Sequence, residues 1–439
     1  MLKTSVPTYF KKRRDALMRN HPDSLFIFPA NPHPYRNHDV HYPFRQETNF
    51  YYLSGFDEPE SFLVLAPQPG AGTYQTLLFV RERNVEREIW DGERYGVDGA
   101  LKVFGVDRTY PTGEFDAILP TLLKGVRKVH FRQGRSEAMD RRVQACLERA
   151  VVMQGRTGYA LPTVVDPLEA VGELRLIKSV EEVELLRKAG QASSQAHIAV
   201  MKEIRPGVNE SEMEALIDYQ FRKHGCQRNG YGSIIAGGKN CTCLHYVANN
   251  EVLRDGDLFL IDAGGEHDYY TADITRTYPV GREFTDAQAT IYDLVLRAQK
   301  AALAVIRPGV EYERIHQTAT ETLVEGLVSL GLLKGGVKEI IQKGDHKRFY
   351  PHGTGHYLGM DVHDAGLYYM NGKSRPLEAG MVLTVEPGLY FQPGDAGVPD
   401  KFRNIGIRIE DDILVTAQGY ENLTVDTPKE RADILKLRR

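Results

Sequence analysis

Several features that mark special classes of protein are scarce in this sequence. Four cysteines among 439 residues are too few for a disulfide framework, so we expect reduced thiols and a cytoplasmic location. No apolar stretch approaches the ~20 residues of a membrane-spanning helix, which argues against a membrane partner. The 55 basic and 59 acidic side chains nearly cancel to a net charge of -4, so a broad basic surface for nucleic acid is excluded as well.

What remains is an ordinary globular composition, with 42% hydrophobic and 26% charged residues. The length exceeds what one hydrophobic core usually supports, and we expect two domains. No apolar run of signal-peptide length follows the basic cluster Lys11–Arg14, and a mitochondrial address in residues 1–20 is the alternative to the cytoplasm. Small or peptidic partners fit this composition best.

Short apolar runs separated by proline-rich and glycine-rich turns characterise the first third of the chain. The clearest runs are Ser24–Phe28, Phe62–Leu65 and Leu77–Val80. Runs of this length between turn residues are typical of strands. The sequence therefore predicts an α/β unit in this region.

A helix start marks the beginning of the second region. Ser179 followed by Glu182 is a capping-box pattern, which predicts the first turn of a helix. The proline-containing passage Leu161–Pro167 precedes it. We place the domain boundary near residue 172, which predicts domains of 1–172 and 173–439.

An internal repeat is visible in the second region. Ile204–Val208 recurs as Ile306–Val310, 102 positions later, and a charged amphipathic stretch follows each copy. Leu253–Gly264 and Leu377–Gly388 match in the same way at an offset of 124 positions. Two signals in the same order indicate a duplication, and a repeat of this length is a folded half rather than a solenoid unit.

The first half places two acids within hairpin distance of each other. Asp262 ends an apolar run that reads as a strand. The next run, Tyr269–Tyr278, alternates so that Asp273, Thr275 and Thr277 share one face. A hairpin between the two runs would bring both carboxylates together.

The second half supplies two more acids at matching places. Glu386 occupies the position in the second copy that Asp262 occupies in the first. The run Ile405–Glu410 alternates, so that Gly406, Arg408 and Glu410 lie on the face opposite three isoleucines. Four converging carboxylates would raise one another's pKa values and destabilise the fold unless cations compensate. Two divalent ions would neutralise the four charges, so the count favours a dinuclear metal site.

A glycine-rich segment offers the remaining ligand. The segment Phe349–His363 carries His352, His356 and His363, and its glycines and proline argue against a helix. It is therefore unlike the helical zinc motif in which both histidines share one face. Carboxylate oxygens with one imidazole suit manganese, magnesium, cobalt or iron better than a closed zinc site, and manganese is our first choice.

The chain resembles the pita-bread metallopeptidases, which include aminopeptidase P, prolidase and methionine aminopeptidase. The five metal ligands of that family match Asp262, Asp273, His356, Glu386 and Glu410 in order and context. The matching strings are Leu260–Gly264, Ala272–Arg276, His352–His356, Val385–Gly388 and Gly406–Glu410. The first region also resembles the N-terminal domain of bacterial aminopeptidase P, in the segments Tyr42–Gln46 and Phe50–Phe56. The resemblance therefore spans nearly the whole chain.

The resemblance implies an α/β (α+β) fold, with a C-terminal pita-bread domain of pseudo-twofold symmetry and a smaller N-terminal α/β domain. It implies two metals bridged by Asp273 and Glu410, with Asp262 on one metal and His356 and Glu386 on the other. A bridging water or hydroxide is then the nucleophile, because two metals lower its pKa and polarise the scissile carbonyl. Glu386 is the family's candidate for carrying a proton to the leaving nitrogen.

The resemblance also assigns substrate contacts. His245 and His363 are expected to hold the substrate carbonyls or the tetrahedral intermediate as hydrogen-bond donors. The wall of the proline pocket corresponds to His352, Tyr390 and Arg408. Side chains two residues apart in a strand lie on the same face, which independently places Arg408 beside Glu410. We therefore also expect the charge of Arg408 to orient that carboxylate.

Two further residues belong to the N-terminal region. The family's oligomers imply that Asp39 and Trp90 reach the site across a subunit contact, in a homodimer or homotetramer. Asp39 lies in an Asn-His-Asp turn, where an ordinary Asx-turn is the alternative interpretation.

The activity implied is release of the first residue from peptides with proline in second position. Prolidase, which cleaves X-Pro dipeptides only, shares the five ligands and is the alternative, with Arg375 as the cation for the proline carboxylate. The N-terminal motifs favour the aminopeptidase and also count against methionine aminopeptidase. A metal-free pita-bread binding module is the alternative from another class, and the intact ligand set counts against it.

Two minor interpretations concern metal chemistry. The spacing of Cys241, Cys243 and His245 is too tight for the usual zinc knuckle. Hydrolysis of organophosphate esters is a hypothetical side activity that rests only on the predicted metal pair. A phosphotriester assay without turnover above free metal would count against it.

Overall fold

The computed structural model of the chain describes residues 3–68, 70, 72–156 and 160–438. Its contacts divide the chain into two compact units, Met1–Leu174 and Arg175–Arg439. Among the described residues, no helix combines the length and the apolar character that crossing a membrane requires. The first unit contains the short apolar strands, and the second contains the repeat.

A mixed sheet forms the centre of the N-terminal unit. The strands of this unit are β1 (Ser24–Pro29), β2 (Tyr35–Asn37), β3 (Val40–His41), β4 (Phe62–Gln68), β5 (Thr73–Val80), β6 (Arg108–Pro111), β7 (Lys128–His130) and β8 (Thr163–Val165). Its helices are α1 (Tyr9–Asn20), α2 (Thr48–Ser54), α3 (Val85–Asp91), α4 (Gly96–Val103), α5 (Phe115–Leu122), α6 (Glu137–Gln154) and α7 (Leu168–Leu176), the last of which leads out of the unit. The sheet order is β6-β5-β4-β1-β7-β8, and β2 pairs with β3 in a separate hairpin.

The three strands predicted from the short apolar runs are confirmed as β1, β4 and β5. Strand β1 is buried from Ser24 to Phe28 because it lies inside the sheet, with β4 antiparallel on one side and β7 parallel on the other. Aromatic rings build much of the core beside it. The ring centroid of Phe115 lies 4.1 Å from that of Phe62 and 5.3 Å from that of Phe79.

The C-terminal unit combines several small antiparallel sheets with long helices. Its helices are α8 (Val180–Glu203), α9 (Glu210–Lys223), α10 (Asp286–Ala304), α11 (Tyr312–Ser329), α12 (Val337–Lys343) and α13 (Arg431–Leu437). Its strands are β9 (Arg228–Asn229), β10 (Ile234–Gly237), β11 (Leu258–Asp262), β12 (Gly265–His267), β13 (Tyr270–Thr271), β14 (Thr275–Pro279), β15 (Tyr369–Met370), β16 (Lys373–Ser374), β17 (Val382–Val385), β18 (Gly388–Tyr390), β19 (Gly406–Arg408), β20 (Asp411–Val415) and β21 (Tyr420–Asn422). The sheets are β10-β11-β14, β13-β12-β9, β17-β20-β21, β18-β19 and β15-β16.

The predicted capping box is confirmed at the start of α8. The Ser179 hydroxyl accepts a hydrogen bond from the Glu182 backbone N–H at 3.4 Å, and the Glu182 carboxylate accepts one from the Ser179 N–H at 2.9 Å. Two N–H groups that the helix leaves unpaired are thereby satisfied.

The internal repeat is confirmed in the backbone hydrogen bonds. The N–H of Gly207 donates to the carbonyl of Leu253 at 2.9 Å, and the N–H of Gly309 donates to that of Leu377 at 2.8 Å. The return bonds also match: the N–H of Leu253 donates to the Val208 carbonyl at 2.8 Å, and the N–H of Leu377 donates to the Val310 carbonyl at 2.7 Å. Helix α9 follows the first turn and α11 follows the second, so each half has the same framework.

The prediction of one continuous strand over Tyr269–Tyr278 is wrong. The run is split into β13 and β14, which belong to different sheets: β13 pairs in the sheet β13-β12-β9 and β14 in the sheet β10-β11-β14. The chain bends where it passes from one sheet to the other. At the bend the N–H of Ala263 bonds to the Ile274 carbonyl at 3.0 Å, while a Cβ on Gly264 would lie 1.7 Å from the Ala272 carbonyl oxygen. Only glycine allows this approach, and Asp273 therefore lies at the bend rather than within a strand.

Candidate metal centre

All five expected metal ligands line one cavity of about 460 Å³ in the C-terminal unit. One ligand atom each from Asp273, His356 and Glu410 lies within 4.8 Å of the others. The Nε2 atom of His356 is 3.4 Å from an oxygen of Asp273 and 3.6 Å from an oxygen of Glu386. The four carboxylates predicted from the duplication therefore converge, with Asp262 beside them in the same cavity.

Backbone pairing places the ligands from the two halves. Strand β11 pairs with β14 so that Asp262 lies opposite Thr275. In the second half the His356 carbonyl accepts from the Thr384 N–H at 2.9 Å, which joins the histidine segment to β17 just before Glu386. A Cβ on Gly355 would lie 2.0 Å from the Thr384 carbonyl oxygen, so the close contact requires glycine.

The electrostatics of the cavity match the chemistry of a cation site. Burial, together with the other carboxylates, raises the pKa values of Asp273 and Glu410, and burial raises that of Glu386 to about 7. Burial disfavours the His356 imidazolium, but its hydrogen bond with Asp273 and the nearby carboxylates outweigh this and raise its pKa to about 9. Acids that hold protons so strongly lack sufficient positive charge around them, and divalent cations would supply it. The donor set therefore fits divalent metal ions.

Tyr231 is a part of the site that the sequence did not predict. Its hydroxyl lies 2.6 Å from an oxygen of Asp262 and 2.5 Å from an oxygen of Asp273. Burial and these two acids raise the pKa of Tyr231 well above its usual value, so the phenol keeps its proton. It precedes β10 in a glycine-rich segment, with no spacing relation to the acids, and no sequence signal could have identified it.

Buried hydrogen bonds next to the expected ligands join the two halves. The side chain of Arg276 donates to the Glu410 carbonyl at 2.5 Å and to the Asp411 carboxylate at 2.7 Å. The Asp412 carboxylate accepts from the Asp273 N–H at 3.0 Å. Because Arg276 and Asp273 belong to the first half, these bonds align acids from both halves.

The residues expected to form the proline pocket are joined by hydrogen bonds. The hydroxyl of Tyr390 is 3.0 Å from a guanidinium nitrogen of Arg408 and 2.9 Å from Nε2 of His352. Arginine can only donate, so the tyrosine proton is available for His352. Burial, with the Arg408 charge, lowers the pKa of His352 to about 3, which keeps this imidazole neutral.

Arg408 also contacts one of the expected metal ligands, although a different one from that predicted. Its guanidinium lies 2.6 Å from an oxygen of Asp262. The sequence instead predicted that Arg408 orients Glu410, and its route to that carboxylate runs through Thr275, whose hydroxyl it reaches at 3.0 Å.

His245 and His363 line the same cavity. The ring centroid of His363 lies 4.4 Å from that of His356. The next residue, Asp364, is buried between Arg175 and Lys178, the latter at 3.0 Å. These two buried ion pairs fix the segment from which His363 extends.

Asp39 and Trp90 lie in the N-terminal unit and are exposed there. Trp90 is 84% exposed on α3, and Asp39 lies in the turn between β2 and β3. Their contribution across a subunit contact stays a prediction. The two thiols near His245 differ in environment, because Cys241 is buried and bonds backbone carbonyls while Cys243 is exposed, which agrees with the rejection of a zinc knuckle.

Comparison with known proteins identifies both regions. The profile of metallopeptidase family M24 matches residues 184–417, and that of the aminopeptidase P N-terminal domain matches residues 10–130. The Xaa-Pro aminopeptidase of Escherichia coli K12 is 43% identical, with 97% of this chain and 96% of that protein covered. The human Xaa-Pro aminopeptidase 3 is 37% identical over 96% of this chain and 82% of its own length.

Solved structures agree with these relatives. Aminopeptidase PepP of Pseudomonas aeruginosa superimposes with a TM-score of 0.94 at 44% identity and covers 99% of both chains. The zinc-substituted aminopeptidase P of E. coli in complex with product gives a TM-score of 0.94 at 42% identity, with 99% of this chain and 98% of that chain covered. The chain therefore belongs to metallopeptidase family M24, and it has the two-domain pita-bread architecture of the aminopeptidase P enzymes.

Proposed function

We propose that this protein is an Xaa-Pro aminopeptidase that depends on two divalent metal ions. The observation that carries the proposal is the convergence of four carboxylates and one imidazole in a single cavity. The chain matches the E. coli Xaa-Pro aminopeptidase over nearly its full length, which supports the same substrate class. Peptides with proline in second position are the proposed substrates.

The proposed metal-binding roles are those that the resemblance to the pita-bread metallopeptidases implies. Asp273 and Glu410 would be shared by both ions, Asp262 would hold one of them, and His356 and Glu386 the other. When bound, the two ions supply a hydroxide nucleophile at neutral pH and polarise the scissile carbonyl. Manganese is the proposed metal in the cell, because oxygen donors with a single imidazole suit it.

The substrate roles belong to the side chains around the acids. His245 and His363 would donate hydrogen bonds to substrate carbonyl oxygens, where negative charge develops in the transition state. The neutral His352 ring and Tyr390 would form the wall against which the proline ring packs, with Arg408 fixing the tyrosine hydroxyl. Glu386 would deliver a proton to the leaving proline nitrogen, since its carboxylate lines the same cavity.

The contacts of Arg375 count against the prolidase alternative. The sequence offered this residue as the cation for a dipeptide's carboxylate. In the structure Arg375 is buried and pairs with Glu378 at 3.2 Å, and its own segment is not part of the wall of the metal cavity. The intact and converging ligand set likewise counts against a metal-free binding module.

Location and assembly are part of the proposal. We place the enzyme in the cytoplasm, in line with its four free cysteines. We propose a homodimer or homotetramer in which Asp39 and Trp90 reach the substrate site of a neighbouring subunit. The exposure of Trp90 supports this role, because a large ring open to solvent is available for such a contact.

The test compares three substrates on manganese-loaded protein: an X-Pro dipeptide, an X-Pro-Y tripeptide and an X-Ala-Y tripeptide. Release of X from the X-Pro-Y tripeptide is expected. Asp273→Ala should lower kcat/KM by at least about a thousandfold, because a metal contributes several kcal/mol of transition-state stabilisation. Asp426→Ala is the matched control, because Asp426 is an exposed aspartate, and this variant should leave the rate unchanged. Cleavage of the dipeptide alone would assign the chain to prolidase, and no metal-dependent cleavage would refute the proposal.

A further inference from the structure

Thr275 touches a metal ligand through both its side chain and its backbone. It is fully buried at the start of β14, and its hydroxyl oxygen lies 2.5 Å from an oxygen of the Glu410 carboxylate. The carbonyl of Thr275 accepts from the Glu410 N–H at 3.0 Å. A residue of the first half thus holds a ligand of the second half at two points.

The direction of these hydrogen bonds follows from the groups involved. Arg408 Nε lies 3.0 Å from the Thr275 hydroxyl oxygen, and a guanidinium can only donate. The hydroxyl must therefore accept from Arg408, and its single proton points to Glu410. A chain of bonds runs from the arginine through the threonine to the carboxylate, and it leaves Glu410 no freedom to rotate without breaking a buried bond.

We propose that Thr275 is a positioning residue for the metal centre: its hydroxyl holds the Glu410 carboxylate in the orientation that binds the shared metal position. The proposal rests on the proposed two-metal function and deepens it. Hydrogen-bond partners of a metal ligand fix its orientation, and their loss weakens metal binding even though they never touch the metal.

Thr277 provides a matched comparison within the same strand. It lies two residues along β14 on the same face and is also fully buried. Within the described part of the chain, its hydroxyl hydrogen-bonds only to the backbone of Arg408, with the carbonyl at 3.1 Å and the N–H at 3.3 Å. Removing either hydroxyl deletes a buried hydrogen bond to the same region, but only Thr275 reaches a ligand carboxylate.

The experiment measures metal binding without peptide. Full-length wild type, Thr275→Val, Thr275→Ser and Thr277→Val are stripped of metal and titrated with Co²⁺, which reports on coordination through its visible absorption, and with Mn²⁺ by calorimetry. Thr275→Val is expected to weaken the more weakly held ion by about tenfold to a hundredfold and to change the Co²⁺ spectrum. Thr275→Ser, which keeps the hydroxyl, should restore both, and Thr277→Val should bind both ions as the wild type does.

Two results would overturn the proposal. Wild-type affinity and spectrum in Thr275→Val would show that the hydroxyl does not position Glu410. An equal loss in Thr277→Val would show a general effect of removing a buried hydroxyl. Since no peptide is present, a wild type that binds two ions but cleaves no X-Pro peptide would refute the proposed activity and leave the role of Thr275 standing.

Discussion

The two halves of the C-terminal unit share a framework but use it for different chemistry. The turns at Gly207 and Gly309 make the same backbone hydrogen bonds, and a helix follows each. The first residue of that helix is Glu210 in one half and Tyr312 in the other, at equivalent positions of the repeat. Both side chains anchor a segment that carries site histidines, and they do so in different ways.

Glu210 is a buried acid that accepts four hydrogen bonds. The donors are the N–H groups of Gly237 at 2.6 Å and Glu251 at 2.9 Å, the hydroxyl of Tyr246 at 2.8 Å and the amide of Asn240 at 3.3 Å. These bonds tie down the segment from which His245 extends.

Tyr312 performs the corresponding task with one bond. Its hydroxyl donates to the carbonyl of Gly355 at 2.5 Å, next to His356. The comparison teaches that duplication preserved the backbone of each half, whereas the side chain at the shared position was free to change because each half presents a different loop.

Metal removal affects the site that both halves build, and it should have the largest effect on activity. We expect chelation to abolish X-Pro cleavage and to lower the unfolding temperature of the protein, because the acids of the two halves then repel one another. Restoring the ion at a hundredfold excess over its Kd should raise the free energy of unfolding by about 2.7 kcal/mol. Calorimetry with and without metal checks this, and an unchanged unfolding temperature would contradict it.

Replacing the two anchoring residues tests the difference between the halves. Glu210→Ala should lower the free energy of unfolding by about 3 kcal/mol, because it leaves buried N–H groups without an acceptor, whereas Tyr312→Phe should cost about 1 kcal/mol for one lost hydrogen bond. Urea denaturation measures both. Glu325→Ala, an exposed change on α11, is the control and should be neutral. Equal losses for the two anchors would show that the asymmetry has no energetic meaning.

A second pair of equivalent glycines tests how the surroundings of the halves differ. Gly256 and Gly380 both have positive φ, at 82° and 96°. A Cβ on Gly256 meets nothing within 4 Å, while one on Gly380 would lie 2.9 Å from a side-chain carbon of Ile177. We expect Gly256→Ala to cost about 1–2 kcal/mol from backbone strain alone. Gly380→Ala should cost a further ~1–3 kcal/mol from overpacking, and equal thermal shifts would contradict this.

The smallest difference between the two halves is expected at the repeated turns. Gly207 and Gly309 have φ values of 90° and 84°, and a Cβ on either meets nothing within 4 Å. Gly207→Ala and Gly309→Ala should therefore each lower the free energy of unfolding by about 1–2 kcal/mol, with no difference between them. Chemical denaturation of the two variants side by side checks the equality, and a clear difference would mean that the halves are not equivalent even at their best-matched turn.

Local patterns account for the parts of the fold that the sequence predicted. The strands over Ser24–Phe28 and Leu77–Val80 and the capping box at Ser179 depend on neighbouring residues, and the structure confirms them. The prediction of a continuous strand over Tyr269–Tyr278 was wrong, because the chain bends where Gly264 approaches the carbonyl of Ala272 on the other arm of the hairpin. That contact has no signature in the alternation of side chains.

The metal site likewise has a part that the sequence predicted and a part that it did not. The sequence by itself determined which acids would meet, because duplication placed Asp262 and Glu386 at equivalent strand ends. Only the tertiary structure decided what surrounds them: Tyr231 reaches Asp273 across 42 residues of chain, and Thr275 reaches Glu410 across 135. A strand end is set by residues a few positions away and can be predicted, whereas a hydrogen bond between distant segments exists only after both halves have packed around the cavity.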